Sequence, residues 1–282
     1  MKEVLTMPEL PEIETIVSGL NDLIPGKILE EVTWDWAKSF PNSAEDLESI
    51  LGSSVKKVHR RGKAVIIELS VRKYLLIHLK MTGQLVYQDL DSEGPFPDRS
   101  TRVIFSFTDG STLYFNDFRK FGRVWILSPQ ELKKNKFLSS LGPEPLSRSF
   151  TARVFKERMA RRKDTFVKAA LLDQTVVAGI GNIYCDEALF IAGIMPDRRV
   201  RTLTDEEYRK LHRAIRKVLK RSVELGGSTR ANYRNARGEI GHYLDHALVY
   251  NRQGQPCDKC GESIIKTRVA GRGTHFCQFC QK

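Results

Sequence analysis

Residues 7–12 have the sequence Met-Pro-Glu-Leu-Pro-Glu, and these residue types could perform covalent chemistry. If translation starts at Met7 and that methionine is removed, the ring nitrogen of Pro8 is a free secondary amine. An α-amino group has a pKa of about 7.7–8.0, so part of it is unprotonated at neutral pH. Such an amine can attack an electrophilic carbon and form an iminium, with Glu9 beside it to transfer protons.

The same segment also fits the start of a helix. Apolar residues follow at the i, i+3, i+4, i+7 spacing of one helix face, and Pro11 suits a first helical position. Pro25-Gly26 should end this helix. Since prolines before helices are common, a purely structural role explains the local pattern by itself, and it is compatible with a reactive Pro8. The apolar positions are Ile13, Ile16, Val17 and Leu20.

The composition indicates a soluble, intracellular protein that binds a polyanion. The chain has 282 residues, which suggests two or three folding units. Lys and Arg number 46 against 34 Asp and Glu, giving a net charge of +12 and a pI near 9.5, so nucleic acid is the expected partner. No run approaches the roughly 18 apolar residues of a membrane span, and residues 1–6 lack the apolar core of a secretory signal.

Four of the five cysteines form the pattern C-x2-C-x16-C-x2-C. Each pair places two thiolates on a tight turn, and two such turns make the closed tetrahedral site that structural zinc prefers. Two disulfides are the alternative, which fits poorly with an intracellular chain. We predict one structural Zn²⁺ and no organic cofactor, with Cys185 as a small buried apolar residue. The predicted zinc ligands are Cys257, Cys260, Cys277 and Cys280.

Strand patterns follow the first helix, and helical patterns follow a break near residue 141. The first part should form a mostly antiparallel sandwich or barrel, in which Asp109-Gly110 indicates a hairpin. In the second part, Thr204 and Glu207 form a capping box for a long helix that Gly226-Gly227 stops. A zinc-bound β-hairpin should lie between the cysteine pairs. Predicted strands cover residues 55–69, 74–81, 103–107, 112–115 and 123–127, with loops at 89–100 and 227–241.

Seven motifs together resemble the formamidopyrimidine-DNA glycosylase family, bacterial enzymes that remove oxidised purines from DNA and cut the strand. The likeness runs from Met7 to Lys282. Leu10 favours this purine-directed branch, because the related endonuclease VIII branch usually has glycine there. The motifs are Pro8–Glu12, Arg60–Lys63, His78–Gly83, Asp117–Gly122, Leu172–Gln174, Gly179–Tyr184, and Gly271–Thr274 with the cysteines.

The resemblance implies a multidomain α+β fold and a base-excision-repair enzyme that is both a glycosylase and an abasic-site lyase. Its expected partner is double-stranded DNA with an oxidised base or an abasic site, and we expect a cytoplasmic, nucleoid-associated monomer. The implied segments are an N-terminal β-sandwich with one helix at 7–140, a linker at 141–150, a helix-two-turn-helix domain at 151–250 that includes the lesion-recognition loop 227–241, and a zinc finger at 251–282.

Chemistry on a base inside a duplex requires the nucleotide to leave the stack. The resemblance implies that Met81, Arg119 and Phe121, here called the wedge residues, fill the gap, with the guanidinium bonding the orphaned cytosine. From residue types alone, Met81 and Phe121 would more often be core residues, because they end or follow predicted strands.

The resemblance also implies the catalytic residues. Pro8 attacks the deoxyribose, Glu9 serves as acid and base, and Glu12 positions the sugar or the N-terminus. Lys63 matches a phosphate-binding lysine that assists the first elimination, and Arg272 matches an arginine that assists the second. From residue types alone, both cations could simply be solvated.

Other residues are expected to bind DNA phosphates. Val177–Asn182 is a glycine-bearing turn that enters a helix, where backbone N–H groups favour an anion. Lys163 and Lys168 lie in the preceding basic stretch, and we predict that replacing Lys168 or Asn182 weakens binding to all DNA alike. Arg102 stands where the family often has a DNA-contacting histidine.

Two departures from the family pattern matter. If residues 1–6 stay attached, Pro8 is an internal amide without a nucleophilic nitrogen, so we expect a start at Met7 or a processed leader. Ala231 and Asn232 stand where an arginine and an aspartate are usual. The resemblance therefore predicts the lesion preference less firmly than it predicts the chemistry. The alternatives are a non-catalytic damaged-DNA-binding protein, a pyrimidine-lesion glycosylase of the endonuclease VIII type and, more distantly, a zinc-ribbon RNA-binding protein.

Overall fold

The computed structural model describes residues 7–92, 94–229 and 233–282. These residues form two compact units. The first unit contains the described residues up to Ser139 together with those of 226–241, and the second contains 140–225 and 242–282. The predicted four-segment division stays a prediction, and the compact units group its segments differently.

The first unit begins with helix α1 (Leu10–Leu23), whose apolar face is buried as predicted. Glu9 is the N-cap residue and forms a capping box with Glu12, which satisfies backbone N–H groups at the helix start. Pro11 takes the second helical position instead of the first. The helix ends just before Pro25-Gly26, also as predicted.

Two four-stranded antiparallel sheets follow, with strand orders β1-β6-β7-β5 and β2-β3-β4-β8. Side chains from both sheets and from α1 share one buried apolar cluster, so the predicted sandwich is confirmed. The elements are β1 (Leu29–Trp34), α2 (Ala44–Glu48), β2 (Val55–Arg61), β3 (Ala64–Leu69), β4 (Tyr74–His78), β5 (Gly83–Gln88), β6 (Thr101–Phe107), β7 (Thr112–Asp117), β8 (Arg123–Leu127), α3 (Pro129–Lys134) and α4 (Lys136–Ser140).

The predicted strand over 55–69 is wrong as one element, because a turn at Gly62-Lys63 divides it into β2 and β3. Gly62 has a φ of +56°, which a glycine adopts without strain. Strand β3 is buried on both faces, since Ala64 and Ile66 pack under side chains of α3 and α4. The resulting continuous apolar run hides the turn in the sequence.

The described residues of 226–241 pack with the sandwich. Tyr233 and Ala236 join its buried cluster, and the Tyr87 N–H donates to the Ala236 carbonyl at 2.9 Å. The described residues of the predicted lesion-recognition loop therefore belong to the same unit as Pro8 and Glu9. Arg230, Ala231 and Asn232 lie outside the described residues.

In the second unit, the predicted capping box of the long helix α8 is confirmed. Helix α7 packs against α8, where the hydroxyls of Tyr184 and Ser222 are 2.6 Å apart, and Cys185 is fully buried as expected. No helix in the described part of the chain is long and apolar enough to cross a bilayer. The elements are α5 (Ala152–Ala160), α6 (Val167–Leu172), α7 (Asn182–Ala192), α8 (Asp205–Glu224), β9 (Ile265–Val269) and β10 (Arg272–Phe276).

Candidate functional site

The residues at the start of α1 are held by hydrogen bonds to one another. Pro8 is buried, and Glu9 is only 3% exposed. The Glu9 N–H donates to Glu12 Oε2 at 2.8 Å, while the Glu9 carboxylate accepts the backbone N–H of Glu12. These bonds fix the Glu9 carboxylate at the N-cap of α1, directly after Pro8.

Glu12 connects this segment to the predicted recognition loop. Its Oε1 accepts the backbone N–H of Ser228 at 2.7 Å and the Ser228 hydroxyl at 2.9 Å. Gly227 has a φ of +85°, and a Cβ there would lie 3.1 Å from Glu12 Oε1. The Tyr233 hydroxyl donates to the Glu12 carbonyl, and burial together with the Glu12 charge raises its pKa well above 10. This arrangement fits the expected positioning role of Glu12.

Lys63 lies in the β2–β3 turn rather than in a strand, and it is partly buried. Its positive charge contributes to a lowered pKa of His78, which lies at the end of β4. Burial, followed by the charges of Lys80 and Lys63, lowers the pKa of His78 to about 3. The neutral ring accepts the Lys80 N–H on Nδ1 at 3.0 Å. His78 therefore supports the segment that leads to Met81 without adding a positive charge at neutral pH.

The wedge residues are placed by the buried carboxylate of Asp117, which accepts the Thr82 hydroxyl and two backbone N–H groups of the following turn. The N–H of Arg119 donates at 3.2 Å and that of Gly122 at 2.6 Å. Phe121 is 47% exposed, and the Arg119 guanidinium lies 4.7 Å from its ring centroid. Phe121 is thus not a core residue.

Met81 lies beyond the end of β4 and is partly buried. It follows Lys80, which has a φ of +54°. Thr82, next in the chain, bonds Asp117, so the 80–82 segment and the 118–122 turn share one anchor. The structure therefore brings the backbones that carry all three wedge residues together in the first unit.

Arg102 does not fit the expected direct contact with DNA. It is 4% exposed, and its guanidinium bonds Asp35, the Arg99 carbonyl and, at 3.0 Å, the Asp117 carbonyl. A cation with these internal acceptors is costly to extract. Arg102 instead joins the end of β1 to the turn after β7.

Lys168 also departs from the prediction. Its side chain is fully buried in the second unit, and Nζ donates to Asp186 Oδ1 at 2.6 Å. Two further bonds reach the carbonyl of Gly273 at 3.0 Å and the Thr274 hydroxyl at 2.9 Å. All three ammonium protons therefore have partners, and the expected phosphate contact is wrong. The residue holds strand β10, which carries Arg272.

The other residues of this unit that were predicted to contact DNA are either exposed or bonded to the β9–β10 hairpin. Lys163 is exposed. Asn182, at the start of α7, donates from Nδ2 to the Gly273 carbonyl at 2.9 Å. Arg272 is exposed at the first position of β10, directly after a turn in which Ala270 and Gly271 both have positive φ.

Three buried carboxylates, of Asp117, Asp186 and Glu187, have structural roles that no sequence motif indicates. Asp186 pairs with Lys168 and also accepts the backbone N–H of His275 at 2.9 Å. Glu187 accepts three successive N–H groups, of Leu248, Val249 and Tyr250, just before the zinc-finger segment. The sequence does hold one signal for Asp186 and Glu187, because they lie within the apolar stretch 183–190. A charge in a buried stretch needs a partner, so their position indicates that each carboxylate is paired.

The four predicted zinc ligands form one cluster, in which the Sγ atoms all lie within 4.8 Å of one another. Tetrahedral zinc with Zn–S bonds of about 2.3 Å separates its sulfurs by about 3.8 Å. The Cys257–Cys280 and Cys260–Cys277 sulfurs are 3.9 and 3.4 Å apart, which matches zinc and is too long for a disulfide. The cluster fits one structural zinc, and the disulfide alternative is wrong.

We expect elemental analysis of the purified protein to find one zinc per chain. The Cys277→Ser variant should lose the metal and with it the fold of the β9–β10 hairpin, because that segment has a small apolar core. Limited proteolysis would then cut within residues 251–282, whereas a Cys185→Ser variant should keep the metal. Full zinc content in Cys277→Ser would contradict this ligand set.

Comparisons with known proteins agree with this architecture. A family model described as the formamidopyrimidine-DNA glycosylase N-terminal domain matches residues 7–124, and the helix-two-turn-helix model of the same family matches 141–233. A model for a zinc finger found in Fpg and IleRS matches residues 254–282.

Similarity to individual proteins extends over the full chain. The formamidopyrimidine-DNA glycosylase of Bacillus licheniformis is 44% identical over 279 residues, 98% of this chain and 100% of that protein. The crystal structure of the MutM (Fpg) protein of Thermus thermophilus has a TM-score of 0.87 and 40% identity, covering 97% of this chain and 98% of that one. Lactococcus lactis Fpg in complex with DNA that contains an abasic site has a TM-score of 0.88 and 32% identity, covering 97% and 99%. On sequence, architecture and zinc cluster together, this chain belongs to the formamidopyrimidine-DNA glycosylase family.

Proposed function

We propose that this protein is a base-excision-repair DNA glycosylase with abasic-site lyase activity, which removes 8-oxoguanine and formamidopyrimidines from duplex DNA. The observation that carries the proposal is the Pro-Glu opening at the start of α1, within full-length similarity to named formamidopyrimidine-DNA glycosylases. Lactococcus lactis Fpg has been solved with DNA containing an abasic site and with DNA containing N7-benzyl-Fapy-dG. We also propose that the protein acts as a monomer in the bacterial cytoplasm.

In the proposed reaction, the Pro8 nitrogen attacks the anomeric carbon of the damaged nucleotide, and the bond to the base breaks. The C1′–O4′ bond of the sugar then breaks as O4′ takes up a proton, which leaves an iminium between Pro8 and the opened sugar. This iminium acidifies the adjacent sugar carbon, so both flanking phosphates are eliminated in turn. Glu9 moves protons during ring opening, which its fixed position directly after Pro8 supports. Lys63 assists the first elimination and Arg272 the second.

The wedge residues fill the space that the displaced nucleotide leaves. The exposed ring of Phe121 and the partly buried Met81 supply apolar bulk, and the Arg119 guanidinium supplies donors for the orphaned cytosine. Asp117 supports this role, because it holds the turn in one conformation before DNA binds.

The test compares oligonucleotide duplexes that carry either 8-oxoguanine opposite cytosine or thymine glycol. We expect faster release of 8-oxoguanine, and a nick that leaves phosphate on both new ends, as successive eliminations require. Faster release of thymine glycol would favour the endonuclease VIII type of activity. Tight lesion binding without release of either base would favour the non-catalytic alternative.

Lys163→Ala should weaken binding to damaged and undamaged duplexes alike, because a phosphate contact is independent of sequence. The slope of log K against log salt should fall in magnitude by about one. Lys133→Ala, which removes another exposed lysine in helix α3, serves as the control and should leave the slope unchanged. Equal slopes for Lys163→Ala and wild type would remove Lys163 from the interface.

A further inference from the structure

Two aromatic side chains besides the wedge residues are exposed, one in the turn after β7 and one just after β1. Phe118, next to Arg119, is 58% exposed, and Trp36, just after β1, is 37% exposed. Each ring has a cation over it. The Arg99 guanidinium lies 5.7 Å from the Phe118 centroid, and Lys120 Nζ lies 4.8 Å from the Trp36 ring.

These four side chains, here called the aromatic–cationic surface (Trp36, Arg99, Phe118 and Lys120), lie on one framework. Arg102 bonds the Asp35 carboxylate beside Trp36, the Arg99 carbonyl and the Asp117 carbonyl beside Phe118. The Asp35 N–H in turn donates to the Arg102 carbonyl at 3.2 Å. Buried Arg102 therefore fixes the aromatic–cationic surface relative to the wedge turn.

We propose that the aromatic–cationic surface binds the strand opposite the lesion, with Phe118 stacking on a base next to the orphaned one. Flat exposed rings accept a base face, and the adjacent cations suit its phosphates, a combination typical of surfaces that hold unstacked nucleotides. Phe118 directly precedes Arg119, the residue proposed to bond the orphaned base. Because the orphaned base belongs to the strand opposite the lesion, we place Phe118 on that strand and not on the damaged one. This inference rests on the proposed function.

The first test measures affinity for a duplex with a tetrahydrofuran abasic analogue. Phe118→Ala is expected to bind about tenfold more weakly. Phe118→Leu should be equally weak because it keeps apolar area without a flat ring, whereas Phe118→Tyr should match wild type. Val71→Ala, which trims an exposed apolar residue in the turn before β4, is the control and should not change affinity. Wild-type affinity of Phe118→Ala would overturn the inference.

The second test removes the base instead of the ring. A second tetrahydrofuran replaces the nucleotide on either side of the orphaned base. At one of these two positions, removing the base should lower the affinity of wild type about tenfold. The same removal should change the affinity of Phe118→Ala little, so the effects of losing the base and losing the ring are not additive. Additive losses at both positions would overturn the inference and favour another partner for this surface, such as an acidic protein segment. If wild type releases no base and cuts no strand, the proposed function fails, whereas an active enzyme with additive losses refutes only this inference.

Discussion

Glu9→Gln is expected to bind lesion-containing DNA almost as wild type does, yet to release the base at least about 100-fold more slowly. The amide has nearly the shape of the carboxylate, and its carbonyl oxygen can still accept the N–H of Glu12 in the capping box. It cannot exchange a proton with the opening sugar ring. Single-turnover assays on an 8-oxoguanine duplex, with affinity measured in parallel, separate the chemical step from binding.

Glu14→Gln is the matched control in the same helix. Glu14 pairs with Arg60 and is partly exposed, so its loss should leave base release unchanged. If both variants were slowed equally, the effect of Glu9→Gln would come from perturbing α1 rather than from proton transfer. Undiminished base release by Glu9→Gln would contradict its assignment as the acid and base.

Lys168→Met is expected to lower the free energy of unfolding by about 3–5 kcal/mol. The substitution leaves Asp186 charged and fully buried, with the His275 N–H still donating to it but without its cation. Urea denaturation monitors the loss. In folded Lys168→Met the salt dependence of DNA binding should stay that of wild type, because Lys168 is not a phosphate contact.

The double variant Lys168→Met/Asp186→Asn distinguishes an unpaired buried charge from lost packing. It removes both charges and keeps an oxygen for the His275 N–H, so it should recover more than half of the lost stability. Lys156→Met, which breaks the exposed pair with Asp205, should cost far less stability than Lys168→Met, because solvent screens an exposed pair. A double variant no more stable than Lys168→Met would show that the ion pair does not control this region.

Elements with a strong local pattern were predictable from sequence. The apolar face of α1, the β6–β7 hairpin at Asp109-Gly110, the capping box of α8 and the zinc cluster each depend on residues close together in the chain. In contrast, the β2–β3 turn was hidden because β3 is apolar on both faces. A period-two signal disappears in such a strand.

The errors at the site have a common cause. The basic stretch around Lys168 and the family match of Arg102 to a DNA-contacting histidine predict contacts with DNA, yet both side chains have buried or internal acceptors. Asp186 lies 18 residues from Lys168, and Asp35 lies 67 residues from Arg102, so neither pair has a local signature. Likewise, nothing in residues 226–241 indicates that Tyr233 packs into the sandwich.

The most direct measurement is mass spectrometry of the protein after borohydride reduction on an 8-oxoguanine duplex, combined with N-terminal sequencing. We expect the purified protein to begin at Pro8 and reduction to attach one DNA fragment to that residue. A protein that retains Met1 and forms no adduct, or an adduct that maps to Lys63, would contradict the proposed catalytic role of the Pro8 nitrogen.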